Sequence, residues 1–159
     1  MAISMVVLLI PLALVVAIFR LRGGEDVQIV DPSSAIASAQ SAKLFPVAAP
    51  NGLAAGWRPL SAQFARDGAT GTLRVGYLTP KDGQVQLIES NEDTASLSSR
   101  EFADQARLTG TTTVAGSAWQ AYQVRGNEPA LVLTSPERTI IVIGSADPAE
   151  LEALATAVS

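Results

Sequence analysis

The sequence predicts an α+β fold: one N-terminal transmembrane helix, then a single antiparallel β-sheet domain packed with helices, the last at the C-terminus. Three observations predict it. Residues 2–19 (AISMVVLLIPLALVVAIF) carry no charge. Between residues 60 and 143, short runs alternate apolar and polar residues with a period of two, separated by Gly, Pro, Asp and Ser. The closing segment then changes to the 3.6-residue period of a helix.

The uncharged run reaches roughly 27 Å at about 1.5 Å per residue, close to the ~30 Å hydrocarbon core of a bilayer. Twelve of its residues are Leu, Ile, Val or Phe, which together favour insertion by roughly 4 to 7 kcal/mol as an upper bound. Ser4 and Pro11 subtract from this, but no buried charge does. A cleaved signal peptide needs a basic n-region and a small-x-small site; only the amine of Met1 precedes the run, and the downstream flank FRLRGG offers no such site. Without cysteine there is no lipobox. The expectation is an uncleaved anchor over residues 1–22, held in the lipid bilayer through residues 2–19. Arg20 and Arg22 lie on its C-terminal side; by the positive-inside rule alone they would leave the domain facing the cytoplasm.

The remaining composition excludes more than it selects. Net charge is −4, and no cluster of Lys or Arg follows residue 22, so no nucleic-acid partner is expected. His and Cys are both absent. That removes Ser-His and Cys-His nucleophile pairs, the usual zinc ligands and a near-neutral His base. An enzyme built from this chain would need convergent carboxylates, Lys or Tyr.

Residues 23–43 read as a juxtamembrane stalk and helix. Gly23-Gly24 break the span, residues 27–30 suit a short extended piece, and Asp31-Pro32 opens a helix over residues 33–44. The domain proper, residues 44–159, begins with a Pro/Gly-rich lead-in that ends in Gly56-Trp57-Arg58-Pro59. Residues 60–65 alternate, and Arg66-Asp67-Gly68 turns the chain. Next, residues 72–79 set Leu73, Val75 and Tyr77 on one face, with Arg74, Gly76 and Leu78 on the other. Pro80 to Gly83 is a turn, and residues 84–89 return with Val85 and Leu87 alternating with glutamines. Residues 91–107 hold two helical stretches; residues 98–106 are preferred because Ser98 and Glu101 have capping-box spacing.

Further strands are expected at residues 110–115, 118–124, 130–134 and 139–143, with turns at Gly116-Ser117, residues 126–129 and residues 135–138. The continuous apolar run Thr139-Ile140-Ile141-Val142-Ile143 is the expected central strand. Asp147 as N-cap, Pro148 at N1 and Glu150 at N3 open the last helix, whose apolar stripe is Leu151, Leu154, Ala155 and Val158. Trp57, a hairpin and a helix in the first half match Trp119, a hairpin and a helix in the second. A duplicated β-β-β-α unit accounts for this and predicts a sheet with its helices on one face. Two such runs also arise by chance in an α+β chain of this size.

The stalk GGEDVQIVDP and the phrases FPV, GWRP, LRVGYLTP, QLIES, WQAY, ALVLTS and TIIVIGSADPAELEALA are similar to the actinobacterial family called domain of unknown function 4245. The resemblance runs along nearly the whole chain, and its motifs are structural phrases rather than catalytic signatures. It implies a single-pass protein of the cytoplasmic membrane with an extracytoplasmic domain. Family members usually carry a longer basic tail before the span; a start codon placed too far downstream would give this chain its short one.

No catalytic, cofactor-binding or metal-ligating residues are expected, and no cofactor. Trp57, Tyr77, Trp119 and Tyr122 are candidate contacts for a ligand or partner, against the simpler reading that they are core or sheet-edge aromatics. Asp67, Asp82, Glu89, Glu92, Asp93 and Asp104 fall in turns, strand ends and helix faces, where solvated turn chemistry is the expectation. The predicted role is a non-catalytic interaction module or accessory subunit whose partner is another membrane or envelope protein. A lipid or cell-envelope ligand-binding module is the alternative, and an enzyme comes third.

Overall fold

The computed structural model describes residues 29–103 and 105–159. The expected anchor lies outside them; among the described residues no helix is long and apolar enough to cross a membrane. The fold is α+β, with seven antiparallel strands in one sheet and three α-helices among the described residues. Helix α1 (Ser33–Ala42) leads into a strap, residues 45–51, and then the strands β1 (Arg58–Asp67), β2 (Thr70–Leu78) and β3 (Gln84–Ser90). Helix α2 (Thr94–Phe102) follows, then β4 (Arg107–Val114), β5 (Ser117–Gln123), β6 (Pro129–Thr134), β7 (Thr139–Gly144) and helix α3 (Pro148–Ala157).

Across the sheet the order is β1-β2-β3-β7-β6-β5-β4. The apolar run of residues 139–143 is therefore the fourth strand of seven, as its composition predicts, because a strand buried on both faces has no polar side to offer. The turn between β4 and β5 is Ala115-Gly116, both at positive φ, one residue before the position read from the sequence. Gly144 closes β7 opposite Val85 of β3, and a Cβ there would collide with the Gln84 carbonyl oxygen. Only glycine fits that approach.

The two faces of the sheet are covered differently. On the first, Leu73, Val75, Tyr77, Val85, Leu87, Trp119, Leu131, Ile140 and Val142 meet α1, the strap and α3. α1 lies over β1 and β2, and α3 over β6 and β7. The predicted stripe Leu151, Leu154, Ala155 and Val158 is buried here, and Asp147 caps α3 by accepting from the Ala149 amide at 3.2 Å. On the second face a smaller cluster, Ile88, Val124, Ala130, Val132 and Ile141, is covered by Leu97 and Phe102 of α2.

This corrects the expectation of helices on one face. β1-β2-β3 and β5-β6-β7 are two meanders that meet antiparallel at β3 and β7, as duplicated strands would. Yet α2 and α3 leave to opposite faces, and among the described residues β4 has no counterpart in the first half. The preferred helix over residues 98–106 is also corrected. α2 starts at Thr94 and its N-cap is Asp93, which accepts from the Ser96 amide at 3.1 Å. Ser98 therefore sits inside the helix, and Glu101 reaches across to β2 instead of back to a cap.

Candidate functional site

The four aromatic candidates do not converge. Trp57 stands just before β1 and packs edge-on against Tyr77 of β2, ring centroids 6.0 Å apart at 76°. Trp119 is wholly buried on the same face. Tyr122 points to the other face, where it tilts against Phe102 at 5.5 Å and its hydroxyl bonds Gln120 Oε1 at 3.1 Å. Three therefore serve one core and the fourth serves the other.

Charged groups are placed with opposite consequences on the two faces. On the first, Glu89 of β3 is fully buried, which corrects its reading as a solvated strand end. It lies on the same face of β3 as Val85 and Leu87, and the strap closes over it. Its Oε2 accepts from the Ala48 amide at 3.0 Å and from Arg138 Nη1 at 2.9 Å, while its Oε1 is buried without a partner. The same Arg138 nitrogen donates to the Pro46 carbonyl. Burial pushes the Glu89 carboxyl up to about 7, against the pull of the Ala48 amide and Arg138. Burial, and then the Glu89 charge, push the Tyr77 phenol to about 12.

On the second face Arg74 of β2 and Glu101 of α2 form a bidentate pair, Nη1 to Oε2 at 2.7 Å and Nη2 to Oε1 at 2.6 Å. Arg100 lies beside it and pairs with Glu92 at 2.6 Å. Burial works to raise the Glu101 carboxyl, but the bonds from Arg74 and Arg100 outweigh it and hold the group below its usual range. Sequence reading set Arg74 opposite Leu73 and Val75 correctly but had no signal for its partner, 27 residues away. Among the described residues no three carboxylates converge on a cation position.

Surface hollows among the described residues are shallow and open rather than enclosed. One of about 470 Å³ lies on the part of the second face that α2 leaves bare, along Ser61, Gly76, Gln86 and Ile143. The register continues this row through Ala130 and Tyr122 to Leu108 on β4. Leu108 is one of two large apolar side chains well exposed among the described residues, at 55 %.

The sheet edges differ as much as the faces. β1 carries Pro59, a register irregularity before Ser61, and the charges Arg58, Arg66 and Asp67; the Val30 amide caps it by donating to the Pro59 carbonyl at 2.9 Å. These are the devices that close a strand edge. β4 pairs with β5 on one side and, among the described residues, has no neighbour on the other. Its side chains are exposed except at Thr112 and Val114, its one charge is Arg107, and its one irregularity falls between Leu108 and Gly110. An edge of this kind leaves backbone donors and acceptors open to pairing with another polypeptide.

No curated protein and no solved structure matches the chain. The family model described as "Protein of unknown function (DUF4245)" matches residues 1–158. A match over nearly the full length, on the strand and helix phrases that build this sheet, makes the chain a member of the DUF4245 family.

Proposed function

We propose that the protein is a non-catalytic interaction module, tethered to the cytoplasmic membrane through residues 2–19 with its domain on the outer face. Its partner is another membrane or envelope protein, which adds an extended segment to β4. The observation that carries this reading is the contrast between the guarded β1 edge and the bare β4 edge. Main-chain hydrogen bonds along a free edge supply affinity, and neighbouring side chains supply specificity. Leu108 and Tyr122 beside that edge offer an apolar footing for one partner side chain. The open hollows favour this over the lipid or envelope-ligand alternative, since small ligands are held in sites that bury most of their surface.

The test is mild detergent extraction of the tagged full-length chain, comparing wild type with Thr111→Lys and Thr113→Lys. Both threonines are exposed on β4, so each lysine charges the edge with little effect on the fold. A partner that co-purifies with wild type and is lost from both variants supports the reading. Recovery of the chain alone, or a partner retained by both variants, overturns it. Recovery of the intact chain in the aqueous fraction would remove the tether.

A further inference from the structure

We infer that the β4 edge selects its partner: it takes an antiparallel segment with a large apolar side chain facing Gly110 and a carboxylate near Arg107. The inference rests on the strand-addition reading above and names the chemistry of the segment that is added.

The turn fixes which main-chain groups of β4 are open. Ala115 and Gly116, both at positive φ, form a two-residue turn, and such turns close on a hydrogen-bonded pair. That pair is Val114–Ser117, and the antiparallel alternation repeats it at Thr112–Trp119 and Gly110–Ala121. The Thr109 hydroxyl donates to the Ala121 carbonyl at 3.0 Å, so that carbonyl does face β4. Thr111 and Thr113 lie between these pairs and turn their amides and carbonyls outward, where among the described residues no strand meets them. Their side chains are exposed on the second face, opposite Gln120 and Ala118.

The first face supplies the selectivity. One row across the sheet runs Val142, Leu131, Ala121 and Gly110. Val142 and Leu131 are buried, Ala121 is partly covered, and Gly110 brings no side chain at all. A Cβ placed on Gly110 would meet nothing within 4 Å, and its φ is not in the left-handed range that calls for glycine. The apolar layer therefore stops one side chain short of the edge. In an antiparallel segment bonded to Thr111 and Thr113, the residue facing Gly110 points to the first face. A large apolar side chain there fills the notch and covers Ala121. At the start of the strand Arg107 donates to Gln123 Oε1 at 2.6 Å and makes no ion pair among the described residues. It is the one charge on β4, and a carboxylate on the segment complements it.

The test uses the absence of cysteine: Thr113→Cys gives the full-length chain, in mild detergent, a single thiol at the edge. Threonine-rich peptides of about ten residues, each with a cysteine set to face that thiol, are equilibrated with it in a thiol buffer. The captured fraction is read by mass. Phenylalanine in place of alanine at the peptide residue facing Gly110 should raise capture about tenfold. Gly110→Val, which occupies the notch itself, should erase that gain. Glutamate in place of glutamine at the Arg107 end should add about threefold, and Arg107→Gln should remove it. N-methylation of the peptide residue facing Thr111 deletes a main-chain donor and should reduce capture to that of free cysteine. Capture that survives methylation overturns strand addition, and the proposed function with it. Capture that needs this N–H but is indifferent to phenylalanine, or keeps the preference in Gly110→Val, overturns the notch and leaves the edge reading standing. Indifference to glutamate overturns the carboxylate.

Discussion

On the first face of the sheet two helices and the strap bury a continuous apolar layer from Trp119 to Val75, and Glu89 is enclosed within it. On the second a single helix covers Ile88, Val132 and Ile141, and the pair Arg74–Glu101 stands at the margin of that cover. Each face carries a carboxylate bonded to arginine, one arginine at Glu89 and two at Glu101, yet the carboxyls move in opposite directions, Glu89 up and Glu101 down. Where the cover is broad, a carboxylate is stripped of water on all sides and desolvation exceeds what one arginine returns. Where the cover is narrow, the pair keeps partial access to water and its bidentate geometry prevails. The same chemistry fastens a strap on one side and pins a helix on the other, and the width of the apolar cover decides its sign.

Core truncation should separate the faces most strongly. Trp119→Ala removes a fully buried side chain from the first face and should cost about 3–5 kcal/mol, lowering the urea midpoint of the whole domain. Leu97→Ala, also fully buried, should cost about 2–3 kcal/mol, with α2 amides exchanging ahead of the strands. Equal losses with identical exchange patterns would break the distinction between a principal and a lesser core.

pH should sharpen it next. A group whose folded pKa is raised loses stability as pH climbs from its unfolded to its folded value, so Glu89 destabilises the domain between about 4.5 and about 7. At about 1.4 kcal/mol per unit, this effect is capped near 3 kcal/mol. Glu101 is lowered, so its contribution is present above the usual carboxylate range and lost as pH falls through it. Together the two groups place maximal stability in mildly acidic solution. In urea titrations at a series of pH values, Glu89→Gln should flatten the alkaline limb and Glu101→Gln the acid limb. A variant that flattened the other limb would reverse the assignment.

The smallest effect should come from the N-cap of α2. Asp93→Ala removes the acceptor of the Ser96 amide and should cost about 1 kcal/mol, read as faster exchange in the first turn of α2 with β7 unaffected. No change there would mean that α2 is held by Leu97, Phe102 and Arg74 alone.

Local signals carried well where one segment contains all the chemistry it needs. The Asp147-Pro148 start and the 3.6-residue stripe of α3, the alternation of β2 and the unbroken apolar run of β7 are each readable within about ten residues. α2 was displaced by four residues because Asp93 and Ser98 are both plausible caps. The choice between them fell to Leu97 and Phe102, whose burial depends on β3, β6 and β7. Glu89 shows the same limit within a correctly read strand. It was read as a solvated strand end although it shares the parity of Val85 and Leu87, because whether that position met water depended on a strap 41 residues earlier.

Periodicity, turn residues and caps thus determined the strands, the central place of β7 and the C-terminal helix, because such preferences act between near neighbours in the chain. Tertiary structure alone decided which face each helix took, which edge stayed bare and which carboxylate was buried. Those outcomes depend on desolvation by segments distant in sequence, and no local pattern encodes how much water a side chain will lose.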